Sequence, residues 1–177
     1  MNRVRHPAPV RSTLRRLFHV VLVWFVALAG AAPAWAQETG LPLPRFVSLR
    51  AGEVNLRTGP GVQYPVDWVF QRQNLPVEVI REYRTWRLIR DWQGTQGWVH
   101  QSMLSGRRTF IVVGSMRTLR REPDSKSRPV ARAEPGVIGD VDRCPEGSGW
   151  CQVNMAERAG WLRRVELWGV YRHEAVE

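Results

Sequence analysis

From about residue 46 onward, apolar and polar side chains alternate in short runs, broken at roughly every eight to twelve residues by Gly, Pro, Asn or Asp. A period of two is that of a strand with one covered face, so the pattern predicts strands rather than helices. Strands are expected over 46–56, in the apolar stretch ending at Phe70, over 76–84 and 86–91, around Trp98 and Val99, and over 107–113. A second series is expected over 116–121, 130–133, 137–143 and 150–155, around Trp161, and over 167–171. Reversals fall at residues 84–85 and 93–97, and residues 100–104 have room for one helical turn. No helical period runs through any window after residue 36. About five short strands per unit predict an all-β protein built of small closed barrels.

The pattern repeats. Val54-Asn55-Leu56-Arg57-Thr58-Gly59-Pro60-Gly61 reads as a strand entering a Gly-Pro-Gly turn, with Gly59 and Gly61 expected to supply unusual backbone angles. At an offset of 63, Leu56-Arg57, Pro60 and Gly97-Trp98 return as Leu119-Arg120, Pro123 and Gly160-Trp161; Trp86 returns as Trp150. The period exceeds that of solenoids, so two tandem domains are expected, over 46–107 and 108–171, with a proline-spaced lead-in (37–45) and a tail (172–177). Domains this small need dense packing or covalent help. Leu56, Trp86, Trp98, Leu119, Trp150 and Trp161 are the expected core, with Val77 and Val79 set against Trp86 and Leu88 of the partner strand.

Residues 1–36 differ in kind. Five arginines and no acid precede an apolar run of about a dozen residues (20–32), which ends in Pro33-Ala34-Trp35-Ala36. A basic head, a short apolar middle and a small-x-small end describe a signal-peptide helix cut after Ala36; a retained anchor is the alternative reading. The run is shorter than the ~20 residues of a spanning helix, so membrane contact is expected only through the leader. The chain carries a net charge of +10, and 21 basic against 16 acidic residues remain after Ala36. That surplus suits acidic polymers of the periplasm or envelope, or merely a solvated β surface. Nucleic acid is not an expected partner, since no basic run is interleaved with a reader motif.

The strand with its Gly-Pro-Gly turn, the paired central strands led by Trp86 with Leu88, and Gly97-Trp98-Val99 before a single turn together resemble the bacterial SH3-like (SH3b) family. The first unit carries the full set, whereas the second keeps Leu119-Arg120, Pro123, Trp150 and Gly160-Trp161 without the glycine-rich turn. The resemblance implies two SH3-like barrels. It also implies an exported, non-catalytic module that contacts cell-wall peptide or glycan, often beside a wall hydrolase.

Cys144 and Cys151 bracket Pro-Glu-Gly-Ser-Gly-Trp, and across a hairpin of an exported protein they are most simply a disulfide. Past the leader only His100 and His173 remain as histidines, so neither a metal site nor any cofactor is expected. No serine sits in a nucleophile turn, and the acids alternate with arginines as cross-strand pairs would, so no enzyme is expected. Trp68 and Trp92 have no repeat partner and fall beside turns. With Arg57, Tyr64 and Asp67 they are the expected ligand-binding residues, forming a groove for an extended peptide whose carboxylate Arg57 would take. The competing reading is an adaptor for another periplasmic protein.

Overall fold

The alternation produces strands over the expected stretches, with 46–56 split in two and seven strands per sheet where about five were expected, and it produces the same sheet twice. A computed structural model describes residues 39–177; the leader lies outside the described residues. The first sheet holds β1 (Arg45–Leu49), β2 (Val54–Arg57), β3 (Val66–Phe70), β4 (Pro76–Tyr83), β5 (Trp86–Arg90), β6 (Gln96–His100) and β7 (Leu104–Ser105). The second holds β8 (Thr109–Val112), β9 (Arg117–Arg120), β10 (Pro129–Ala133), β11 (Ile138–Arg143), β12 (Trp150–Met155), β13 (Arg158–Arg163) and β14 (Leu167–Trp168). Their orders, β3-β2-β6-β5-β4-β1-β7 and β10-β9-β13-β12-β11-β8-β14, superimpose term by term. A single 3-10 turn, Gln101–Met103 or Arg164–Glu166, precedes the last strand of each.

The sheets are open rather than the closed barrels expected. Each ends on two strands paired on one side, and no ladder among the described residues joins β3 to β7 or β10 to β14. β7 and β14 are two residues long and pair with β1 and β8, which leaves too little backbone for a second ladder. Each sheet nonetheless folds over its own core. Leu49, Leu56, Phe70, Val79, Ile89, Val99 and Leu104 come together from all seven strands of the first sheet.

The core face differs from expectation at the tryptophans. Leu56 and Leu119 are fully buried, but Trp86, Trp98, Trp150 and Trp161 stand half-buried on the opposite face. The reason lies in the glycine beside two of them. A Cβ on Gly97 would sit 2.4 Å from Cγ of Leu56, and one on Gly160 would sit 2.6 Å from Cγ of Leu119. The glycine must therefore face inward, and alternation turns Val99 and Leu162 inward with it and the indoles out. On β5 the inward residue opposite Val79 is likewise Ile89, not Leu88.

Both sheets lie within one compact unit, residues 37–177. β8 pairs within the second sheet, yet Ile111 packs into the first core while Phe110 and Val112 enter the second. Phe46 of β1 meets the ring of Trp168 edge-on at 5.2 Å and that of Tyr171 at 4.6 Å. The Ser48 and Thr109 hydroxyls lie 2.6 Å apart, and Thr109 donates to the Asn74 carbonyl at 2.8 Å. The Tyr171 hydroxyl donates to buried Glu78 at 2.9 Å; burial and that contact raise its pKa. The segment expected as a tail is docked as well: the Cys144 and Val176 backbones exchange hydrogen bonds of 2.8 and 3.1 Å. Buried Arg164 joins the carbonyls of Pro145 and Ser148 to those of Tyr171 and Glu174.

Candidate functional site

The loop between β2 and β3 is drawn into a compact arch. Thr58 N–H donates to the Pro65 carbonyl at 3.1 Å, and Arg57 Nη1 donates to the carbonyls of Tyr64 at 2.8 Å and Val62 at 3.2 Å. Neither Gly59 nor Gly61 has the positive φ that the sequence predicts. Gly59 is needed for space instead, because the Tyr64 ring lies 2.4 Å from where its Cβ would be. The ring is thus pressed onto the turn with its outer face in solvent.

The β4–β5 hairpin forms the opposite wall. It reverses at Arg84, whose φ is 51°, and leaves Tyr83 47% exposed with the Arg84 guanidinium 5.7 Å from its ring centre. A buried ionic network holds this tip. Glu82 accepts from Arg45 at 2.6 Å and from the Thr39 hydroxyl, and Arg87 lies 3.3 Å from it. Arg87 in turn donates to the Arg84 carbonyl and to Gln101 Oε1, each at 2.7 Å. Burial alone would raise the Glu82 carboxyl, but hydrogen bonds from Arg45 and Thr39 outweigh it and hold the pKa below the ordinary value. Trp86 and His100 face each other across β5 and β6, rings 5.5 Å apart and nearly perpendicular. His100 Nδ1 lies 2.7 Å from Ser102 Oγ.

Loop, hairpin tip and ring pair enclose a groove of about 650 Å3, floored by Trp86 and His100 and walled by Tyr64 and Tyr83. An open trough of this size, with aromatic faces, a guanidinium and no carboxylate in its lining, suits an extended chain with ring-stacking and hydrogen-bonding groups.

Of the residues expected to bind, Tyr64 lines this groove and Arg57 braces its loop from behind. Asp67 lies on β3 outside it. Trp68 (54% exposed) and Trp92 (38% exposed) line a separate depression of about 310 Å3 with Val69, Phe70 and Leu75. Buried Asp91 shapes the Trp92 turn by accepting from the Gln93 and Thr95 N–H groups at 2.9 and 2.8 Å. Sequence reasoning missed Tyr83 and gave His100 no binding role, and it assigned Trp86 to the core. Their shared phase was the available signal, since Trp86 and Trp98 fall on the face opposite Ile89 and Val99.

In the second half the disulfide is present, joining Cys144 to Cys151 with Cα atoms 4.3 Å apart. The loop brace is repeated: Arg120 Nη1 donates to the Ser127 carbonyl at 2.7 Å, as Arg57 does to Tyr64. The aromatic wall is not, because Ser127 stands where the first half has Tyr64.

No curated protein matches the chain. Two solved structures, of NlpC2 and NlpC1 from Trichomonas vaginalis, align at 10% identity over 73% and 78% of this chain, with TM-scores of 0.33. The chain spans about half the length of each, 49% and 50%. The model of the bacterial SH3 domain matches twice, over residues 50–106 and 113–169, each match beginning and ending within one sheet's repeat of strands. On those two matches, the chain belongs to the bacterial SH3 domain family.

Proposed function

We propose that the protein is a non-catalytic binding module of the bacterial envelope, exported by its leader, whose first half grips an extended cell-wall peptide or glycan. The observation that carries this reading is the groove walled by Tyr64 and Tyr83 over Trp86 and His100, in a domain family built for binding. Retention on purified peptidoglycan tests it, using the chain from residue 37. Tyr83→Ala removes an exposed wall and should weaken retention roughly tenfold or more, the effect of losing one aromatic anchor. Full retention by that variant, or none by the wild type, refutes the reading.

A second reading has its own observation. Trp68 and Val66 stand exposed on β3, an end strand of the first sheet among the described residues, and Trp92 lines the same depression as Trp68. Such an edge suits another envelope protein, and the chain would then be an adaptor. Loss of a co-purifying protein in Trp68→Ala, with no retention on peptidoglycan, favours this reading.

A further inference from the structure

We infer that the second half carries its own site, for an anionic group (a carboxylate or a phosphate), where the first half has its aromatic groove. The repeat supplies the comparison. Trp86 faces His100 across the ladder of the first sheet, and Trp150 faces Arg163 at the matching place in the second. Ser125, in the β9–β10 loop, stands where Val62 stands in the first loop. Backbone and indole are kept while the surroundings change from rings to guanidiniums.

The second groove, about 140 Å3, is lined by Arg117, Arg120, Arg163, Thr118 and Ser125 around Trp150, with Glu166 the lone carboxylate. Each arginine is held. The guanidinium of Arg163 lies 5.3 Å from the Trp150 ring centre, a stack that covers one face of the cation and leaves its N–H edge for an acceptor. Arg120 is fixed through Nη1 to the Ser127 carbonyl. Arg117 donates through Nε and Nη2 to the Val113 carbonyl, with Nη1 4.0 Å from Glu166. Glu166 is itself engaged, accepting from the Arg163 N–H at 3.0 Å. Three pre-positioned guanidiniums against one occupied carboxylate, with two hydroxyls alongside, match an oxyanion and repel a cation. The site is too small for a polymer segment, so it reads one charged group. It stands independently of the reading given for the first groove.

The test uses the chain from residue 37 with its disulfide intact, following the indole N–H signals by NMR while inorganic phosphate or acetate replaces chloride at constant ionic strength. Saturable movement of the Trp150 signal is expected, weakened about tenfold in Arg163→Gln, with Arg163→Lys between the two. Preference for phosphate points to a phosphate-bearing polymer, and preference for acetate to a peptide carboxylate. The inference is overturned if neither anion saturates the Trp150 signal, if Arg163→Gln binds as the wild type does, or if only Trp86 responds.

Discussion

Ile111 offers a direct test of how the two halves are joined. Its strand is hydrogen-bonded into the second sheet, yet its side chain is fully buried in the first core. Ile111→Ala removes three carbons; at about 0.8 kcal/mol each the transfer loss is a little over 2 kcal/mol, and the residual cavity raises it to about 3 kcal/mol. If residues 37–177 unfold as one unit, this lowers the thermal midpoint by roughly 6–12 °C in a single transition. The assay is urea and thermal unfolding, followed both by tryptophan fluorescence and by far-UV circular dichroism. In the variant the two curves should still coincide and shift together. If the first sheet melts at lower denaturant while the second stays folded, or the loss is under about 1 kcal/mol, the packing across β8 does not couple the halves.

Gly97→Ala drives a methyl against Leu56 and should cost about 2 kcal/mol or more in urea unfolding, with partial recovery in the Leu56→Ala background; additive losses would refute the close contact. Reducing the Cys144–Cys151 bond, or replacing both with serine, should cost about 2–3 kcal/mol, read as a lower midpoint with and without reductant. The carboxyls of Glu82 and Glu174 are both held below their ordinary value: burial opposes this, and hydrogen bonds from Arg45 and Thr39, and from Arg108 and the Tyr171 N–H, outweigh it. Since the folded pKa lies below the unfolded one, the stability they confer is full above about pH 4.5 and is lost as pH falls through the folded values. Acid unfolding should therefore steepen below that point, and Glu82→Gln should flatten the slope; a wild-type slope in that variant would refute the role.

What could be read from the sequence was what depends on spacing along the chain. The period of two gave the strands, the offset of 63 the duplication, and the bracketing cysteines the disulfide. Which face of each strand is inside was misread, because bulk was taken as the mark of a core. Here the decisive residue is the smallest one, since Gly97 and Gly160 admit Leu56 and Leu119 and so turn the neighbouring indoles outward. The groove was half legible for the same reason. Tyr64 declares itself by its turn, whereas Tyr83, Trp86 and His100 meet only when two separate ladders are in register. Closure failed for a different reason: whether a short last strand finds a second partner is set by its length, and a pattern of alternation does not carry that information.

The hydrogen bond from Tyr171 to Glu78 spans nearly a hundred positions of chain, and it sets an order of events. A ribosome finishes the first sheet long before it reaches the residue that satisfies that carboxylate, and Phe46 likewise waits for Trp168. The newborn first half therefore spends its early life with an uncovered flank, which is sealed only when Trp168 and Tyr171 arrive.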